Sequence, residues 1–211
     1  MVSMGFGYPL GIDLPGEKRG MIPNAKYYDK AYRGSWNGLT IISISIGQGE
    51  VTLTPLQIAN LGATIANRGY YITPHVVKSI ENDAIDTLYT QKKYTKVDRI
   101  HYEEVVEGMR MAVTGGTCRM GNPPDNEVCG KTGTAQNRGK DHSAFMGFAP
   151  MNNPKIAIAV YVENGGFGAV YGVPIGRLMI EQYLKGELTP QDEELATDIQ
   201  NRRIDYGIHE R

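Results

Sequence analysis

The densest chemical signal in the chain is the run Cys129-Gly130-Lys131-Thr132-Gly133-Thr134-Ala135-Gln136. A lysine ammonium among hydroxyls and glycines suits an anion, and two kinds of anion fit. Gly130-Lys131-Thr132 ends like a phosphate loop, a glycine-rich turn between a buried strand and a helix whose N-terminus receives the phosphate. The full pattern needs a glycine five places before Gly130, and that place holds Asp125, whose carboxylate repels phosphate. Asn122-Pro123 precedes it where a buried strand should be, and a strand-like stretch with a polar turn follows the lysine. These features weigh against a nucleotide-binding P-loop module. The other reading is a strand edge that grips a carboxylate and an acyl group. Lys131 supplies positive charge, Thr132 and Thr134 supply hydroxyls from one strand face, and Gly133 removes a side chain where a ligand backbone comes close. An extended peptide can pair with such an edge as an added strand. Taken alone, Lys-Thr-Gly is better read as an ordinary surface strand with an exposed lysine, since three residues recur by chance.

The elements that must position this run are α+β. Thr54-Pro55-Leu56-Gln57 combines an N-cap, a first-turn proline and a capping-box glutamine, and Ile58, Leu61 and Ile65 recur at helical spacing. This predicts a helix over 55–67. A second helix is expected over about 102–114, ended by Gly115-Gly116, and a third over 174–185, ended near Gly186. Between them, 127–162 reads as a meander of three strands whose short turns force antiparallel neighbours. Val76–Ile80 and Ile85–Tyr89 look like a small hairpin, and Gly11–Gly16 like a turn-bounded strand end within a loop-like segment 1–37. Leu39–Ile46 is a β-branched run ending at Gly47-Gln48-Gly49, where Gln48 sits in a backbone-driven turn that leaves its side-chain direction open. Residues 187–211 read as a charged, solvated helical tail.

Composition excludes several classes. The 211 residues are 41% hydrophobic and 21% charged, and 22 basic against 23 acidic side chains leave no electrostatic footprint for nucleic acid. Two cysteines cannot make a four-thiolate zinc site. His75, His101, His142 and His209 lack partners at metal-ligand spacing, so neither a metal nor a cofactor is expected. No apolar run reaches the roughly 18 residues of a membrane span.

Lys131-Thr132-Gly133 is also one of three motifs of penicillin-binding proteins and active-site-serine β-lactamases. The chain resembles that family further at Gly11-Ile12-Asp13-Leu14-Pro15-Gly16-Glu17, at Gly47-Gln48-Gly49 with Leu53-Thr54-Pro55-Leu56-Gln57, and at Gly147-Phe148-Ala149-Pro150. These blocks follow the family's order over most of 5–185. The resemblance is nearest to class B transpeptidases of cell-wall elongation, the penicillin-binding protein 2 type, to which Asp141-His142-Ser143-Ala144-Phe145 also points.

The resemblance implies the C-terminal portion of the serine β-lactamase/transpeptidase-like fold over 1–186, with 187–211 as its tail. It implies a D,D-transpeptidase that acylates a serine with the D-Ala-D-Ala end of a peptidoglycan stem peptide and is trapped by β-lactams. Lys131 and Thr132 would bind the terminal carboxylate, Gly133 and Thr134 would line the ligand, and the Thr134 backbone N–H would form half of the oxyanion hole. Strand alternation puts Lys131 on the face opposite the threonines, so its role rests on the resemblance. No serine here is followed three residues later by lysine, and Ser35-Trp36-Asn37 lies after the Gly-Ile-Asp-Leu-Pro-Gly block rather than before it, as a decoy. The nucleophile is therefore expected in upstream polypeptide, the other half of the domain, and this chain is expected to be inactive alone. A non-catalytic β-lactam sensor or scaffold of the same fold is the alternative. Implied partners are glycan-polymerising and elongation-complex proteins, at the extracytoplasmic face of a membrane to which the parent is anchored. That compartment permits a Cys118–Cys129 disulfide, while a small buried hydrophobe accounts for Cys129 equally well.

Overall fold

Asparagine, threonine and proline set the helix starts. In the computed structural model, which describes residues 1–123, 125–204 and 206, the Asn24 side chain accepts the N–H of Tyr27 and opens α1 (Ala25–Ala31). This short helix lies in the segment expected to be loop. Thr54 and Gln57 form the expected capping box with Pro55 in the first turn, and α2 spans Pro55–Ala66. The two N–H of the buried Gln57 Nε2 are shared among the carbonyls of Gly5, Tyr8 and Arg19, at 3.3, 3.2 and 2.9 Å. One side chain thus starts a helix and ties the glycine-rich N-terminal segment to it.

Two expected strand segments are corrected. The hairpin 76–80/85–89 does not form: the N–H groups of Val76 and Val77 donate to the Asp13 carboxylate at 3.0 Å, and Asp86 caps a 3-10 turn at Thr87–Tyr89. The ladder lies one step outside, where β1 (Tyr70–Tyr71) pairs with β2 (Lys93–Tyr94). Gly11–Gly16 holds no strand either, because the Glu17 carboxylate accepts the N–H groups of Leu10, Gly11 and Ile12 and curls the segment into a turn. The β-branched run before Gly47 becomes a 3-10 helix, Ile42–Ile46, entered through an Asn37 side chain that accepts the Leu39 N–H.

Helix α3 (Ile100–Thr114) starts two residues before its expected position. The meander follows as β3 (Cys129–Ala135), β4 (His142–Ala149) and β5 (Ile156–Val162), antiparallel in the order β3-β4-β5. Alternation splits the sheet into two faces. On one, Phe145, Ala149 and Ile158 pack with Val173 and Ile180 of α4 (Gly172–Lys185). On the other, Cys129, Met146 and Phe148 meet Ile65 of α2 and Val106 and Met109 of α3. Glycines make room for Phe145: a Cβ on Gly130, Gly147 or Gly176 would come under 3.0 Å from its ring.

The tail is more than a solvated helix. Thr189 caps α5 (Pro190–Asn201), and Asp192, expected on a solvated face, is buried against α4 with its carboxylate 2.6 Å from Arg177. The pair is close yet out of line for a hydrogen bond, so the attraction is mainly Coulombic. Arg202 then donates to the Val170 carbonyl at 2.7 Å and lies over the Tyr171 ring, so the tail also braces the loop before α4.

Candidate active site

Among the described residues β3 pairs only with β4, leaving one edge open beside the 115–118 turn and the Gly47–Gly49 segment. Lys131 stands opposite Met146 on the α2 face, while Thr132 and Thr134 stand opposite Phe145 and Ser143 on the α4 face. Alternation therefore separates the lysine from the threonines, as the sequence implies. The lysine turns back along the edge instead: its exposed Nζ donates to the Thr132 carbonyl at 3.0 Å. Thr132 Oγ1 lies 2.8 Å from Thr117 Oγ1 at the end of α3.

Gln48 is the residue sequence reasoning left without a role. Its Nε2 donates to the Thr134 carbonyl at 3.3 Å. Gly47 and Gly49, at φ 75° and 68°, make the turn that aims it, and a Cβ on Gly49 would collide with Ser43 Oγ. The flanking glycines were the only signal available. In an antiparallel strand the N–H and C=O of one residue leave on the same side. Thr134, whose carbonyl faces Gln48 rather than β4, thus directs its N–H off the open edge as well.

A cavity of about 440 Å³ lies against this edge, lined by Gln48, Gly133, Thr134, Ala144, Ile58 and Tyr161 among others. Of the four expected ligand-contacting residues, Gly133 and Thr134 line it, and Lys131 and Thr132 stand just outside. The loop before α4 covers the other face so closely that a Cβ on Gly168 would strike the carbonyls of Ala144 and Gly133. Asp125, which argues against phosphate, is ion-paired with Lys185 at 3.1 Å, and Lys131 lies within a strand that leads to β4 rather than to a helix.

The remaining candidates are structural. His142 Nδ1 accepts the N–H of Asn164 at 2.9 Å, and its ring leans on Tyr161. His75 Nδ1 bonds the Thr73 carbonyl at 2.8 Å, and His209 lies outside the described residues. Among the described residues no three histidine, cysteine or acidic side chains gather as metal ligands. Asn37 of the Ser-x-Asn decoy serves its own turn.

The disulfide is not made. Cys118 and Cys129 are free, buried thiols in separate clusters, one on the α4 face and one on the α2–α3 face. Burial pushes the Cys118 thiol above its ordinary value against the opposing pull of Thr117, Thr132 and Lys131, and pushes Cys129 up to about 11. Both are therefore neutral and poorly nucleophilic near pH 7. Alkylation of the denatured, unreduced chain should add two labels; a mass gain that appears only after reduction would indicate a bridge.

Comparison with known proteins places this geometry. The family description "Penicillin binding protein transpeptidase domain" matches residues 1–180. A peptidoglycan D,D-transpeptidase MrdA of Haemophilus influenzae is 32% identical over 225 residues, covering 96% of this chain and 34% of that protein. The crystal structure of Pseudomonas aeruginosa PBP2 in complex with WCK 5153 superposes with a TM-score of 0.78 at 34% identity, covering 90% of this chain and 43% of that one. The complex between PBP2 and MreC from Helicobacter pylori gives a TM-score of 0.75 at 28% identity, covering 89% and 35%. The chain spans about a third of the length of the curated relative above.

Proposed function

Because the chain belongs to the penicillin-binding protein transpeptidase family, we propose that it forms the carboxylate-gripping wall of a serine D,D-transpeptidase that cross-links peptidoglycan outside the cytoplasmic membrane. The observation that carries this reading is the open β3 edge beside a cavity, with the Thr134 N–H directed off it and Gln48 holding the Thr134 carbonyl.

In this reading the D-Ala-D-Ala end of a stem peptide lies along β3. Lys131 leaves the Thr132 carbonyl for the terminal carboxylate, which also takes the Thr132 hydroxyl. Gly133 lets the ligand backbone approach. A serine Oγ from upstream polypeptide attacks the carbonyl carbon of the penultimate D-Ala while its proton passes to a base. The carbonyl oxygen gathers negative charge, and the Thr134 N–H stabilises it together with the serine's own N–H. The C–N bond then breaks, terminal D-Ala leaves as a protonated amine, and an amine of a second stem peptide displaces the serine from the ester. A β-lactam follows the first half, but its leaving nitrogen stays tethered. Leu39, Ile42 and Ile46 expose 78%, 63% and 71% of their surfaces, and Ile46 lines the cavity, which supports contact with the upstream half of the domain. The Helicobacter pylori complex supports an elongation-complex protein as a partner.

The test is a graded pair of substitutions in a longer protein that carries the serine. Lys131→Ala removes a charged contact and should slow penicillin acylation roughly ten- to a hundredfold, since hydrogen bonds to charged groups contribute about 1.5–3 kcal/mol. Gln48→Ala removes a neutral bond that only steadies Thr134 and should slow it roughly two- to tenfold. Acylation indifferent to Lys131→Ala would remove the reading.

A further inference from the structure

A second recess, of about 840 Å³, lies at the far end of the sheet from the cavity. The cavity borders the start of β4; this groove borders its end, where the 151–154 turn meets the C-terminus of α2 and the β1–β2 ladder. Its chemistry differs from that of the cavity. The ladder register sets Tyr70 opposite Tyr94, with ring centroids 5.7 Å apart. Lys92 Nζ sits 4.4 Å over the Tyr70 ring, while Tyr94 is 71% exposed. The side-chain amides of Asn67 and Asn152 line the groove with no protein partner among the described residues.

The frame is fixed by Arg68. It holds a left-handed backbone, φ 55°, which costs a non-glycine residue energy and is kept where surrounding contacts enforce it. Its guanidinium donates to the carbonyls of Ala66 and Met151, at 2.7 and 3.2 Å, and pairs with Glu103 at 3.2 Å. It therefore joins the walls of the groove and is not available to an anion. Lining charges nearly cancel, with Arg68, Lys92 and Arg99 against Asp98 and Glu103, which disfavours a polyanion. What remains is an open aromatic face beside vacant amides. That combination suits an uncharged ligand rich in donors and acceptors that also presents a flat C–H face, which describes a pyranose.

We propose that this groove binds a β-1,4-linked N-acetylhexosamine chain, the glycan backbone of the polymer. The saccharide chemistry comes from the groove, and the assignment to peptidoglycan rests on the function proposed above. Tyr94 stacks on a sugar ring while Asn67 and Asn152 bond its hydroxyl and acetamido groups. A cross-linking domain gains from such a site because it holds the strand whose peptides it processes, raising their effective concentration at the β3 edge.

The test is an NMR titration of the isotope-labelled full chain with N-acetylchitotetraose, with maltotetraose as control. Shifts should centre on Tyr70, Tyr94 and Asn152. Tyr94→Ala should weaken binding roughly three- to tenfold and Tyr94→Phe should preserve it, as stacking predicts. Tyr94 is 71% exposed, so its truncation should leave the melting temperature unchanged. No shift at millimolar sugar, shifts centred on 131–135, or equal binding of maltotetraose would overturn the proposal. Penicillin acylation of the longer protein should ignore Tyr94→Ala. Acylation without saccharide binding would remove the groove proposal alone, whereas saccharide binding without acylation would remove the transpeptidase reading and leave the groove.

Discussion

Incubated with a fluorescent penicillin, the isolated 211-residue chain is expected to show no labelled band on a denaturing gel, whereas a longer protein that carries the serine is labelled. The expectation is all-or-none because the proposed route is covalent. Losing one oxyanion donor costs about a hundred- to a thousandfold, but losing the nucleophile removes the intermediate altogether. No activated substitute lines the cavity: its side-chain hydroxyls, on Thr52, Thr134 and Tyr161, have no lysine or histidine beside them in the lining. Among the described residues the cavity lining holds no serine, cysteine, lysine or histidine. Ser143 Oγ is engaged between the Phe167 carbonyl and the Gly172 N–H, and Ser45 Oγ donates to Ile42. Both thiols are neutral and buried. A band that survives denaturation of the chain alone would mean that one of these groups is activated by means the geometry does not supply.

The second large effect concerns stability. Phe145→Ala should destabilise the chain by about 3–5 kcal/mol, a large share of the ~5–15 kcal/mol typical of a folded domain. The ring is 1% exposed and fills a slot whose walls are Gly130, Gly147 and Gly176, so its removal leaves a cavity that three backbones cannot quickly collapse into. The converse substitution, Gly147→Ala, should cost about 1–3 kcal/mol by overpacking. Denaturant unfolding followed by circular dichroism measures both; a Phe145→Ala midpoint unchanged from the parent would show that the slot is not a core. Because Phe145 stands opposite Thr132 in the ladder, the same substitution should slow acylation in the longer protein without touching the ligand.

What the sequence made legible was local. Thr54, Pro55 and Gln57 are neighbours, so their capping box could be read directly, and the short turns of the meander left antiparallel pairing as the only outcome. What stayed hidden depended on partners remote in sequence. The hairpin at 76–80 reads well in isolation and fails because its N–H groups answer to Asp13, 63 residues away. Asp192 looks like surface until Arg177 on the preceding helix claims it. Lys131, Thr132, Gly133 and Thr134 were visible as a motif, and their strand and its neighbours emerged as expected. Gln48 was not: a glutamine between glycines has no preferred direction until Thr134, 86 residues on, is folded beside it.

The bonds along β3 carry a further consequence. The carbonyls of Thr132 and Thr134 are already taken, by Lys131 Nζ and Gln48 Nε2. A second molecule trying to zip onto this strand must displace or share these acceptors, and each amide hydrogen left unpaired costs about 1–3 kcal/mol. The strand can therefore stay bare without seeding fibrils, and concentrated solutions should resist growth through this side. A short guest that brings its own carboxylate to the lysine escapes that penalty, so the same two bonds that deter self-polymerisation filter what may dock.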